Sequence, residues 1–137
     1  MSTVGLDDKY LATRGRVYVT GPQALVRLPI DQARRDAAAG LRTAGFISGY
    51  RGSPLGTYDL ALWHAQPQLD AHRVRFEPGV NEDLAATAVW GSQQVPLIGS
   101  SRYQGVFASS ATLSRNRRAA APRAIRTAGA IASTGAR

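Results

Sequence analysis

Two places in this chain of 137 residues combine residue types and spacing that could do chemistry: a glycine-rich turn, Gly49-Tyr50-Arg51-Gly52-Ser53-Pro54-Leu55-Gly56, and an acidic helix start, Pro78-Gly79-Val80-Asn81-Glu82-Asp83-Leu84-Ala85-Ala86. The first reads as the end of a buried strand running straight into a helix, with Ser53 as N-cap and Pro54 at the first helical position. In an open α/β sheet, ligands settle beyond the carboxyl ends of the strands, and a helix start offers free backbone N–H groups to an anion. A carboxylate or phosphate suits such a turn. The glycine spacing matches neither the dinucleotide fingerprint nor a P-loop, so NAD and nucleoside triphosphates are not indicated. On motif alone the segment reads first as a tight strand-to-helix turn with an ordinary cap.

In the second segment Asn81 caps a helix whose first turn holds Glu82 and Asp83. Acidic side chains there complement the helix dipole, which is reason enough for their presence. The setting adds a functional reading. Glu82 falls at the end of a βα connection, on the sheet edge that also carries the Ser53 turn, and Ala85, Ala86, Ala88 and Gly91 follow with small side chains that leave room for a neighbour or a flat ligand.

Other chemical candidates are weaker. His64 and His72 lie eight apart on either side of Pro67 without cysteine or paired carboxylates at ligand spacing, so no metal site is expected. Ser48, Ser53 and Ser92 lack the elbow of a serine hydrolase. Arg34, Arg35, Arg73 and Arg75 read as solvated faces, and Trp63 and Trp90 as core or interface residues.

The elements that must position these groups alternate. Arg16–Thr20 reads as a strand with a Gly21-Pro22 turn after it, then a helix from Gln23 to about Leu41 with Leu25, Leu28, Ala33 and Ala37 on one face, kinked or restarted at Pro29 and ended by Gly40. Thr43–Tyr50 is a buried strand. The helix from Ser53-Pro54 carries Tyr58, Leu62, Ala65 and Leu69 on its apolar face and splits near Pro67. Val74–Phe76 is a third strand, the helix from Asn81 runs to Val95 before Pro96, and Tyr103–Phe107 is a fourth strand. Such alternation argues for an α/β fold, a partial doubly wound parallel sheet.

Charge divides the chain. Up to Phe107 there are eleven basic and nine acidic residues; Ala108–Arg137 holds six arginines and no acid, so the net charge of +8 is largely a property of the tail. That tail is Ala- and Arg-rich, without an aromatic residue, and too poor in large aliphatics to build a core. The expected division is therefore residues 1–107 as the organised part and 108–137 as a disordered or weakly helical, low-complexity basic tail. The absence of cysteine excludes a disulfide scaffold and, within these residues, an iron–sulfur site. No stretch reads as a membrane span or secretion signal, which leads to the expectation of a cytoplasmic protein. The tail lacks an aromatic to stack on bases and an apolar face to enter lipid, so neither nucleic acid nor membrane is expected as partner.

The segments Leu6–Tyr10, Arg14–Tyr18, Gln23–Pro29, Ala44–Gly56 and Pro78–Gln94 together resemble the N-terminal region of the long, fused indolepyruvate ferredoxin oxidoreductases of bacteria, thiamine-diphosphate-dependent 2-oxoacid:ferredoxin oxidoreductases. The resemblance runs from about Gly5 to Phe107. It implies most of the first half of the domain that holds the aminopyrimidine ring of thiamine diphosphate. By that similarity Glu82 is the catalytic and cofactor-binding carboxyl group that hydrogen-bonds a pyrimidine nitrogen and promotes the imino tautomer, with Asn81 beside it. Ser53, with Gly52 and Arg51 in the same turn, matches the part that lines the pocket for an aryl 2-oxoacid. Coenzyme A, ferredoxin and assembly into a homo-oligomer belong to the complete enzyme.

The departures are equally specific. The chain has no Gly-Asp-Gly motif for diphosphate and magnesium and no cysteine for iron–sulfur clusters, both of which belong to later parts of family members. After Phe107 the family pattern is replaced by the arginine-rich tail, of the kind that an out-of-frame reading of GC-rich codons gives. The expectation is an N-terminal fragment, inactive alone; the alternative is a basic-tailed binding or docking module without catalysis, including one that docks through Asn81–Gln94.

Overall fold

A computed structural model describes residues 5–52, 55, 57–94, 97, 99 and 101–110. Five helices and three strands follow in the order α1 (Asp8–Leu11), α2 (Gly21–Ala38), β1 (Thr43–Tyr50), α3 (Tyr58–His64), α4 (Gln66–Ala71), β2 (Val74–Gly79), α5 (Glu82–Ser92) and β3 (Gly105–Ser110). The strands form one parallel sheet in the order β2-β1-β3. Parallel neighbours need crossover connections, and α3–α4 and α5 supply them.

β1 occupies the centre because it can be buried on both faces. Its small and apolar residues alternate: Ile47 points into a core built with Val26 and Ile30 of α2, Tyr58 and Leu62 of α3, Leu69 of α4 and Val74 of β2. Ser48, the next residue, is equally buried on the opposite face, where α5 packs on β1 and β3. Helices on both faces of a parallel sheet are the α/β arrangement expected from the alternation of elements. Gly45 has no side chain because none would fit: a Cβ there would lie 2.5 Å from the Phe107 ring and 3.0 Å from Val74.

Arg16–Thr20 is not a strand. Thr20 instead caps α2: its hydroxyl accepts from the Gln23 amide at 3.4 Å and the Gln23 side chain accepts from the Thr20 amide at 3.0 Å. This reciprocal box starts the helix at Gly21, with Pro22 in its first turn, where the expected reading had a turn. The buried stripe of α2 is Val26, Pro29, Ile30 and Ala33; of the expected face Ala33 is buried and Leu25 packs against the core, whereas Leu28 and Ala37 are exposed. Pro29 lies within α2 and faces the core, so its ring contributes to packing at the position where it removes a helical hydrogen bond. Gly40 stands just beyond the end of α2 with φ +74°, a left-handed conformation that glycine takes without strain. Arg27 ties α1 down, donating to the carbonyl oxygens of Lys9 (2.9 Å) and Ala12 (2.5 Å).

The helix expected from Ser53-Pro54 starts at Tyr58 and breaks at Ala65, Pro67 being in the first turn of α4. Its expected apolar face holds throughout: Tyr58, Leu62, Ala65 and Leu69 are all buried. β2 extends to Gly79, beyond the expected end at Phe76. α5 ends at Ser92 rather than Val95. β3 runs from Gly105 to Ser110, so the composition break at Ala108 falls inside a strand; residues 111–137, on which the expectation of a disordered or weakly helical tail mostly falls, lie outside the described residues. No helix among the described residues is long and apolar enough to cross a membrane.

Candidate functional site

The register of the sheet decides what meets at its carboxyl edge. Tyr50, the last residue of β1, is the partner of Gly79, the last of β2. The Arg51-Gly52 turn and the Val80-Asn81-Glu82 connection therefore leave neighbouring strands at the same level. Sequence reasoning brought these two segments to one edge, and the structure does the same. Ser53, together with Pro54, lies outside the described residues.

Each connection is shaped by a glycine. At Gly52 a Cβ would lie 2.3 Å from the Tyr50 ring, so the tyrosine can fold over the turn only because position 52 is bare. At Gly79 a Cβ would lie 2.7 Å from the Cβ of Ala85 and 3.1 Å from the Asn81 carbonyl oxygen. The bare backbone lets the first turn of α5 rest against the end of β2. The Gly52 contact is local and the Gly79 contact joins the end of β2 to α5, and only the presence of glycine in a turn was visible beforehand.

Asn81 Oδ1 accepts from the Leu84 amide at 2.9 Å, which makes it the N-cap of α5. That occupies its side-chain oxygen in holding the helix start. Glu82 is the first residue of the helix, exposed, and its carboxylate has no hydrogen-bond or ion-pair partner among the described residues. It is free to accept from a ligand. Asp83 is exposed beside it in the same turn.

Arg51 is anchored at one nitrogen. Its Nε lies 3.4 Å from Asp59 Oδ2, while its side chain is 83% exposed. Asp59 is buried and was not singled out from the sequence; its other oxygen accepts from the Leu60 amide at 2.8 Å. A guanidinium held at Nε keeps its two terminal nitrogens for a carboxylate, which they can grip in parallel. The signal that could have found Asp59 was its place in the first turn of the helix after the Arg51 turn.

His64 closes α3 and is exposed, and His72 Nδ1 lies 2.7 Å from the Gln68 carbonyl oxygen. Among the described residues no three His, Cys, Asp or Glu side chains cluster to hold a metal ion. Trp63 meets Phe76 edge to face at 5.5 Å. Trp90 is 65% exposed on α5.

A cleft of about 410 Å³ opens between the start of α2 and α3, and another of about 320 Å³ at the opposite, amino-terminal edge of the sheet; neither contains Arg51 or Glu82. The fold and the edge together define an α/β protein with a parallel sheet and its candidate groups beyond the carboxyl ends of β1 and β2. Comparison with protein-family models, curated proteins and solved structures gives no match.

Proposed function

We propose that this chain is the pyrimidine-binding part of a thiamine-diphosphate-dependent indolepyruvate ferredoxin oxidoreductase, which oxidatively decarboxylates an aryl 2-oxoacid with coenzyme A and ferredoxin. The observation that carries the reading is the parallel pairing of Tyr50 with Gly79, which sets the Arg51-Gly52 turn and the Asn81-Glu82 helix start side by side at the carboxyl edge of the sheet. The residues fit what the pyrimidine ring needs from this half of a site. One carboxylate without a competing partner stands at the edge, on a helix start fixed by a cap, beside a glycine that leaves space.

Thiamine diphosphate, when bound, supplies the electron sink for decarboxylation. The chain's own residues hold and orient. Glu82, carrying a proton, would donate it in a hydrogen bond to a ring nitrogen and accept from that nitrogen once the proton has passed to it, a task that requires a group able to exchange one. Asn81 would keep Glu82 in place through its cap. Arg51, with Gly52 and Ser53 in the turn, would take the carboxylate of the 2-oxoacid. Magnesium, the diphosphate and the iron–sulfur clusters would be held outside these 137 residues, where the Gly-Asp-Gly motif and the cysteines of family members belong.

The test uses the chain itself. Titration with thiamine diphosphate, followed by the fluorescence of Trp90, should give a saturable change. Glu82→Gln should weaken binding at least tenfold and Asp83→Asn should not. Absence of saturation, or equal effects of the two substitutions, refutes the assignment.

A further inference from the structure

The opposite edge of the sheet carries the opposite charge. Arg42 immediately precedes β1, Arg73 immediately precedes β2, and Arg102 stands three residues before β3. All three are exposed, and none is ion-paired among the described residues. Arg27, Arg34, Arg51 and Arg75 each have a carboxylate partner. Of the six described arginines without a carboxylate partner, these three stand where the strands begin, and Arg14, Arg16 and Arg35 lie elsewhere.

Between these strand starts lies the cleft of about 320 Å³, with Gly45, Asp70, Arg73, Val74, Arg75 and Tyr103 among its lining. Arg73 holds φ +57°, a left-handed conformation that strains a non-glycine residue. Its Nε donates to the Thr43 carbonyl oxygen at 3.2 Å, which fixes the guanidinium across the starts of β1 and β2. Arg42 lies over the Tyr103 ring, 5.9 Å from its centroid. Against these charges stand Asp70 in the cleft wall and Glu77, which Arg75 already holds.

A structural role alone would place each guanidinium on a carbonyl at the ends of α2 and α4, where cations complement the dipole. Only Arg73 bonds a carbonyl, and it belongs to a strand; among the described residues the side chains of Arg42 and Arg102 donate no hydrogen bond. The volume is at the lower end of the roughly 300–1,000 Å³ of small-molecule sites.

We propose that this cleft binds the phosphate group of a small phosphate monoester, with Arg73 in its lining as the anchor and Arg42, which lies over the Tyr103 ring of the cleft wall, as a second donor from beside it. Arginine suits a phosphate because its planar fork donates two parallel hydrogen bonds to the oxygens. The site is separate from the carboxyl edge and stands whether or not the function proposed above holds.

The experiment titrates the full chain with adenosine 5′-monophosphate, and separately with inorganic phosphate, at constant ionic strength, following backbone amide signals by NMR. Saturable shifts at Gly45, Val74 and Tyr103 are expected, with a dissociation constant of about 1 mM or tighter. Arg73→Gly, which removes the guanidinium while relieving the left-handed backbone, should weaken binding at least tenfold, as should Arg42→Ala. Arg16→Ala and Arg35→Ala should leave it unchanged. The proposal is overturned if shifts do not saturate, if they centre on the Arg51 turn, if Arg16→Ala weakens binding as much as Arg73→Gly, or if a short oligonucleotide binds more tightly than the monoester.

Discussion

Alanine at Gly79 and alanine at Gly91 should change the stability of this chain in opposite directions, although both glycines adjoin or belong to α5. At position 79 the added carbon would lie 2.7 Å from the Ala85 Cβ, 3.1 Å from the Ala85 Cα and 3.1 Å from the Asn81 oxygen. Carbon pairs rest at about 3.5–4.0 Å, so relief needs a displacement of about 1 Å. None of the three atoms is the tip of a rotatable side chain; the first turn of α5 must move off the end of β2, and Glu82 moves with it. Overpacking of this kind costs about 1–3 kcal/mol. At position 91 nothing lies within 4 Å of the added carbon, and alanine within a helix gains about 0.5–1 kcal/mol over glycine. Urea unfolding followed by tryptophan fluorescence measures both changes. Amide exchange at Leu84, which donates to Asn81 Oδ1, reports where the first has acted. A Gly79→Ala chain within about 0.3 kcal/mol of the parent, with its Leu84 amide as protected as before, would refute the close packing of α5 on β2.

Burial pushes the Tyr58 phenol up to about 12. The folded state then keeps its proton more tightly than the unfolded one, so the stabilisation is complete below about pH 10 and is lost as pH rises to 12, about 2.7 kcal/mol across the window. Between pH 9.5 and 11.5 the unfolding free energy should therefore fall more steeply for the parent than for Tyr58→Phe, which keeps the dependence of Tyr10, a phenol also pushed up by burial; equal slopes refute it. Asn81→Ala should cost about 1 kcal/mol through the lost cap, and Glu82→Gln no more than about 0.3–1 kcal/mol. A Glu82→Gln loss larger than that of Asn81→Ala, by thermal or urea unfolding, would make Glu82 a folding residue. The chain with thiamine diphosphate, magnesium, coenzyme A and indolepyruvate should leave a viologen dye oxidised, because it contains no cysteine for the clusters that carry electrons onward; steady dye reduction would refute this.

What was legible in the sequence was what depends on neighbours along the chain. The bounds of β1, the Asn81 cap, the end of α2 at Gly40 and the Tyr58/Leu62/Ala65/Leu69 stripe all follow from local pattern, and the structure has each of them. The strand at Arg16–Thr20 failed because β-branched residues were weighed above the Thr20-x-x-Gln23 spacing that a capping box requires. The α2 stripe was missed because Pro29 was treated as a breaker; with it included, Val26, Pro29, Ile30 and Ala33 have the spacing of one helical face. The site was half legible. Strand order brought the two segments to one edge, whereas the Arg51–Asp59 pair and the close contact of Gly79 with Ala85 arise between elements, where no periodicity points.

The two edges of the sheet should behave as independent sites, because β2 separates them. Arg73 directly precedes that strand and Gly79 ends it, six residues apart, which in extended chain is about 20 Å. Changes farther apart than about 7–10 Å, with no shared partner, usually add within about 0.3–0.5 kcal/mol. Arg73 acts through Thr43 at the start of β1 and Gly79 through Ala85 and Asn81 of the α5 connection, so they share no partner. Arg73→Gly relieves strain but loses the bond to Thr43; Gly79→Ala forces α5 outward. The unfolding free energy of the double variant should equal the combined single effects within about 0.5 kcal/mol, and phosphate affinity should be the same in Gly79→Ala as in the parent. A coupling above about 1 kcal/mol would mean that a shift at one end of β2 is passed along the strand to the other, and the edges would then have to be treated as one site.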